Sequence, residues 1–225
     1  MFKTVESQYE ILFDTVKKHG VSEFGLMANE SWNQDPRRTL FTLARYKFVA
    51  KMFVGKSYVL EVGCADAFGT RLVQQEVANL TAIDIDPVFV ADVEKRMNPH
   101  WPMEVFQHDM LVGPIAKAFD AVYALDVIEH IHPSSETQFI KNICRSMHPD
   151  GVAIFGAPSL ESQIYASPQS SAGHVNCKSG IEFRRGFESF FRNVFLFSMN
   201  DEVVHTGFYP MSHYLLALCC GVKEN

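Results

Sequence analysis

Four acids stand where apolar runs of the sequence stop: Glu61 in Y58-V-L-E-V62, Asp84 after L80-T-A-I83, Asp109 after M103-E-V-F-Q107, and Asp126 after F119-D-A-V-Y-A-L125. A carboxylate buried at such a place without a partner is costly, so Glu61 and Asp84 are better read as ligand contacts than as packing, whereas Asp126 also suits a turn cap and Asp109 by itself an ordinary loop acid. Asp126 opens the segment D126-V-I-E-H130, and a further histidine, His174, lies in the polar stretch S167-P-Q-S-S-A-G-H-V-N176. Carboxylates accept hydrogen bonds from hydroxyl and amino groups, and imidazole exchanges a proton near neutral pH. Together they suit recognition of a polar ligand and management of one proton.

The stretch after Glu61, V62-G-C-A-D-A-F-G69, is built of small residues and reads as a tight turn that something approaches closely. A nicotinamide-dinucleotide turn would carry glycine at three spaced positions. Here those positions hold Gly63, Ala65 and Phe68, and a Phe in place of the third glycine blocks close packing of the following helix. Ala65 and Ala67 lie in this turn, which glycine adopts more easily.

The elements needed to position these residues are legible. Strand-length, β-branched segments at 58–62, 80–84, 103–107 and 119–125 alternate with helix-compatible segments, the pattern of a parallel sheet built from βαβ units. D35-P36 and D86-P87 each put Asp at a helix N-cap with Pro at the first helical position, and S179-G-I-E182 reads as a capping box. A fifth strand, V152-A-I-F155, follows the turn H148-P-D-G151, and two more are expected at V194-F-L-F197 and Y214-L-L-A-L-C-C220. In the helical prelude, Leu40, Leu43, Phe48 and Met52 are expected to line a core-facing stripe. The long polar segment from Ser159 to Gly180 reads as a substrate lid.

Composition narrows the function classes. The chain has 225 residues, 47% hydrophobic content and a formal charge of −6, which fits one folded domain and disfavours a polyanion as main partner; no nucleic-acid partner is expected. R184-R185 beside Phe183 and Phe187 is a small basic cluster best read as a solvated helix face. No apolar run approaches the ~18 residues of a membrane span, and the N-terminus lacks signal-peptide order, so no membrane association and a cytoplasmic location are expected. The five cysteines are odd in number and lack C-x-x-C spacing, which points to reduced thiols. The apolar C-terminal strand offers an edge for a homodimer, although as a hairpin edge it needs no partner.

From Tyr58 to Pro158 the order and spacing of these motifs resemble the class I S-adenosylmethionine (SAM)-dependent methyltransferases. The resemblance implies an α/β fold: a seven-stranded, Rossmann-like, mostly parallel sheet with helices on both faces and an N-terminal helical extension. It divides one domain into a helical cap (1–55), a SAM-binding core (56–158), the substrate lid (159–180) and a C-terminal helix with strands (181–225). It implies that Glu61, Gly63, Cys64, Ala65 and Gly69 wrap the methionine part of SAM. Asp84, with Ile85 beside it, would take the ribose hydroxyls, and Asp109 the adenine amino group with Met110 packed on the ring. Leu125 and D126-V-I-E-H130 correspond to the motif after the fourth strand, and H148-P-D-G151 to the family's turn before the fifth.

Methyl transfer demands little beyond positioning and, for an oxygen or nitrogen acceptor, one base. His130 or His174 is the expected base, with Asp126 as an orienting carboxylate. Arg45, Tyr46, Ser170 and Asn176 are expected to meet a polar acceptor such as a sugar or a natural-product or metabolite intermediate, and Trp32 to help close the pocket. His130, His132 and His174 invite a metal, but the H130-x-H132 spacing is not that of a helical ligand pair, and no metal is expected. An RNA or protein methyltransferase, which would call for a basic stripe or added recognition domain, and an inactive binding module, which would call for broken cofactor motifs, are the alternatives.

Overall fold

The computed structural model describes residues 4–223. Three helices come first: α1 (Glu10–His19), α2 (Leu26–Gln34) and α3 (Arg37–Met52). The rest alternates strands and helices: β1 (Tyr58–Val62), α4 (Thr70–Gln74), β2 (Asn79–Asp84), α5 (Pro87–Arg96), β3 (Glu104–Gln107), β4 (Phe119–Leu125), α6 (Pro133–Arg145) and β5 (Met147–Pro158). The chain then runs through α7 (Pro168–Gly173), α8 (Gly180–Glu188), β6 (Phe191–Asn200), β7 (Val203–His205) and β8 (Tyr214–Val222).

The strands form one eight-stranded sheet in the order β3-β2-β1-β4-β5-β8-β6-β7. β1 to β5 pair in parallel, and β8 enters antiparallel between β5 and β6. The count is eight rather than the expected seven because Val203–His205 doubles back on the end of β6 as a short antiparallel strand. Strand order reverses between β1 and β4, so the crevice outside their carboxyl ends is where this architecture receives ligands.

Strand alternation sorts the core into two layers. Leu60 and Val62 of β1 pack with Phe139, Ile140 and Ile143 of α6 and Phe183 and Phe187 of α8. Val59 lies in the opposite layer, with Phe48, Val49 and Phe53 of the α3 region. Glu61 shares that face with Val59, which is why it meets α3. In α3 the buried face carries Ala44, Phe48 and Val49, whereas Leu40 and Met52 are exposed. The expected stripe of Leu40, Leu43, Phe48 and Met52 is therefore rotated, with Phe48 its one buried member and Leu43 half-buried.

Local signals largely match their elements. Asp86 caps α5, its carboxylate accepting from Val88 N at 2.8 Å with Pro87 at the first turn, and Ser179 and Glu182 form the capping box of α8. Asp35 sits one residue earlier than expected, at the end of α2, and accepts from Arg37 N at 3.2 Å while Pro36 occupies the cap position of α3. H148-P-D-G151 is no free turn: it is an irregularity inside β5, where the register with β4 jumps from Phe119 opposite Met147 to Ala121 opposite Val152. The lid is ordered by two short helical pieces, the 3₁₀ turn Glu161–Tyr165 and α7.

Candidate active site

The carboxyl ends of β1, β2 and β4 converge around the small-residue loop. Gly63, Ala65 and Ala67 all take positive φ, at 74°, 45° and 53°. The two alanines hold a conformation that costs a side-chain-bearing residue free energy, and such outliers concentrate at ligand sites. Asp84, buried at the end of β2, steadies the loop: one carboxylate oxygen accepts from Ala65 N at 2.8 Å and the other from Asp86 N at 2.9 Å. Each oxygen retains a further lone pair. Ile85 beside it is 61% exposed and presents an apolar surface at the same strand end.

Several expected contacts are already engaged within the protein. Glu61 is buried, with Oε1 accepting from the Tyr46 hydroxyl at 2.7 Å and Oε2 from the Thr70 hydroxyl at 2.6 Å. Burial pushes the Glu61 carboxyl up to about 7, against the lowering effect of these hydrogen bonds. Tyr46 is itself buried and its ring lies so close to Gly69 that a Cβ there would overlap it. At Gly69, then, the close approach is made by Tyr46, and at Gly63 by the side chain of Val127. Tyr46 is thus a framework residue rather than the expected acceptor contact. Cys64 and Leu125 are buried in the layer that holds α3.

The ends of β3 and β4 differ in the same way. Asp109 turns back to accept from Leu111 N at 2.8 Å, and Met110 is buried in the α6 layer rather than laid on an exposed shelf, with its carbonyl accepting from Asn142. Asp126, at φ 56°, binds Arg45 through a 2.6 Å ion pair, and the Arg45 guanidinium stacks 3.8 Å from the centre of the Tyr214 ring. Burial works against the charge of Arg45, but Asp126, Tyr214 and Glu129 outweigh it and raise the affinity for its proton.

The lid closes over Glu129 and His130. The Glu129 carbonyl accepts from Val175 N and Asn176 N at 2.9 and 3.0 Å, and the His130 ring bonds the Gly173 carbonyl through Nδ1 at 2.9 Å. His174 bonds the side-chain oxygen of Gln163 through Nδ1 at 2.8 Å, and the two imidazoles meet edge-on with centroids 5.2 Å apart. Burial, and secondarily His130, push the His174 imidazole downward. Asn176, expected at the acceptor, is buried and donates to Ile128 O and to the Glu136 carboxylate, which Lys178 also binds. Ser170 and His174, with Phe41, Pro158, Gln163 and Tyr165, line a hollow of about 400 Å³. Trp32 remains on the exposed surface of α2. A larger hollow of about 560 Å³ lies at the far side of β6, lined by Arg184, Arg192 and Lys223, away from the strand ends that carry this chemistry.

Three arrangements escaped the sequence reading. Thr70 and Tyr46 as joint partners of Glu61 require the strand face to be known. Gln163 as the anchor of His174 requires the lid fold. Glu129, rather than His132, joins His130 and His174: one ligating atom from each of the three lies within 4.8 Å of the others. His132 instead caps α6, bonding the Ser134 hydroxyl at 2.8 Å and accepting from Ser134 N.

Residues 59–151 match a family model described as a methyltransferase domain. A probable S-adenosylmethionine-dependent methyltransferase of Mycolicibacterium smegmatis is 29% identical over 116 residues, 51% of this chain and 42% of that protein. A ubiquinone biosynthesis O-methyltransferase of Rickettsia akari is 23% identical over 68% of this chain and 64% of its own length. The chain thus spans under half the length of the mycobacterial relative. Among solved structures, the N-methyltransferase NodS of Bradyrhizobium japonicum WM9, in complex with S-adenosyl-L-homocysteine (SAH), superposes with a TM-score of 0.62 at 18% identity, covering 96% of this chain and 99% of that one. A TehB-like SAM-dependent methyltransferase of Corynebacterium glutamicum reaches 0.60 at 19% identity, covering 85% and 97%.

Proposed function

From the premise that the chain belongs to the class I SAM-dependent methyltransferases, we propose that it methylates an oxygen or nitrogen of a polar small molecule, such as a sugar or a metabolite intermediate. The observation that carries this reading is the pairing of two sites at one sheet edge: the strained loop over Asp84, and the His174-lined hollow of about 400 Å³, a volume suited to a small ligand.

The residues fit the cofactor. The lone pairs left on Asp84 suit ribose hydroxyls, exposed Ile85 suits an adenine face, and the half-buried Gly63, Ala65 and Ala67 leave the strained loop partly accessible to the amino-acid part. SAM, when bound, supplies a methyl group activated by a sulfonium. The chain's own task is to hold the acceptor in line and to take its proton. His130 and His174 each commit Nδ1–H to a carbonyl-type oxygen, which leaves Nε2 as the basic atom. Asp126, fixed by Arg45, offers an acceptor for a substrate hydroxyl or amine.

Calorimetric titration with SAM and SAH tests the cofactor half of the reading. Micromolar binding that weakens at least tenfold in Asp84→Ala is expected, followed by turnover on a panel of polar sugars and amines; absence of binding to either nucleoside overturns it.

A further inference from the structure

Glu129 is 1% exposed, yet among the described residues neither of its carboxylate oxygens has a hydrogen-bond partner. A buried carboxylate left unpaired is among the costlier arrangements a fold can retain, and it calls for a counter-charge. Arg45 acts on it electrostatically without giving it a hydrogen bond, whereas His130 and His174 each place a ligating atom within 4.8 Å of that of Glu129. Both imidazoles are oriented as ligands are. The Gly173 carbonyl can only accept, so His130 donates from Nδ1 and keeps the Nε2 lone pair. Gln163 donates through its amide nitrogen to Ser159 O and Ser162 Oγ, which turns its oxygen to His174 and fixes the same tautomer there. Commitment of the second ring nitrogen to a carbonyl or amide oxygen is the usual support of a metal-bound histidine.

We propose that Glu129, His130 and His174 bind one divalent ion of the zinc type, through one carboxylate oxygen and the two imidazole nitrogens left free by Gly173 and Gln163, so that with the ion bound these nitrogens are ligands and no longer the base. Two nitrogens and one oxygen suit borderline ions such as zinc or cobalt, and three protein ligands leave a coordination position open. Metal–ligand bonds of about 2.0–2.2 Å require the three atoms to close up slightly, a movement within reach of His174 on its lid. Of the three ligands, His174 also lines the hollow of about 400 Å³. A divalent ion lowers the pKa of a hydroxyl bound to it, so the assignment deepens the proposed function, on which its substrate aspect rests, toward an oxygen acceptor.

The test uses the full chain without a histidine tag, stripped with chelator and titrated with Zn²⁺ by calorimetry and with Co²⁺ by visible absorption, in the absence of SAM. One ion per chain is expected, with affinity falling at least tenfold in His174→Ala and in Glu129→Gln and unchanged in His132→Ala. Should the buried Glu129→Gln variant not fold, His174→Ala on the lid decides. No uptake of either ion, or uptake indifferent to His174→Ala, overturns the proposal. SAH binding, measured on the same samples, reports separately on the cofactor reading: metal bound without SAH sinks that reading alone, and SAH bound without metal sinks this one alone.

Discussion

Arg45 of the N-terminal helical cap reaches Asp126 at the end of β4, 2.6 Å from its carboxylate, while its guanidinium lies 3.8 Å from the centre of the Tyr214 ring. One side chain thereby ties the cap, the central strand of the parallel sheet and the antiparallel β8 together at the mouth of the site. Its own burial makes the pair more than a surface contact, although Asp126 is partly open to solvent and screened accordingly. Arg45→Met removes the only cation paired with Asp126 among the described residues, beside an already unpartnered Glu129. A loss of about 1–3 kcal/mol in chemical denaturation is expected. Stability equal to the wild type would show that the pair is energetically idle.

Gly69 owes its identity to Tyr46. A methyl group there would strike a buried ring whose hydroxyl is anchored on Glu61. Gly69→Ala is expected to destabilise the chain by about 1–3 kcal/mol through overpacking. Gly69→Ala combined with Tyr46→Leu is expected to recover part of that loss, and a strictly additive double mutant would remove the explanation.

Glu61 gives the fold a pH dependence of defined sign. Burial raises its carboxyl from the ordinary 4.5 to about 7. The raised value means that its contribution to stability is complete below about pH 4.5 and is lost as pH climbs through about 7. Wild type should therefore lose up to about 3 kcal/mol relative to Glu61→Gln between pH 4.5 and 8. Denaturation curves of the two proteins that run parallel across that range would contradict the assignment.

On the proposed reading, Nε2 of His130 and of His174 is the base in the metal-free protein and a ligand when the ion is bound. His174→Ala is expected to lower turnover by two to four orders of magnitude, the usual worth of a positioned base, while leaving SAH affinity within a few-fold of wild type. If His130→Ala and His174→Ala both turned over the acceptor at the wild-type rate, neither would serve as base or as ligand.

Asn176 pins the lid to α6 through Glu136 and to the chain before it through Ile128 O. Asn176→Ala leaves the Glu136 carboxylate and that carbonyl short of a donor, at about 1–3 kcal/mol. Hydrogen exchange should then quicken across residues 160–178 and little elsewhere. Unchanged protection of the lid would place its anchorage in Lys178 and the Glu129 carbonyl instead.

The order of strands and helices, the caps at Asp86 and Ser179, and the acids at the strand ends follow from local chemistry: apolar period, proline and aspartate at helix starts, and the cost of burying an unpaired charge. Those signals reside within a few residues of one another, so the sequence alone determines them. What each acid touches is a property of faces and distances between elements. Val59 and Glu61 point to the α3 side only because β1 is paired and packed as it is, and that geometry hands Glu61 to Tyr46 and Thr70, turns Gly69 into a packing glycine and buries Met110. The same holds for the lid. His174 lies 44 positions after His130 in the chain, and only the fold of the lid brings the two rings together over the buried, unpaired Glu129, because that contact depends on tertiary hydrogen bonds from Gly173, Val175 and Asn176 that no local pattern announces.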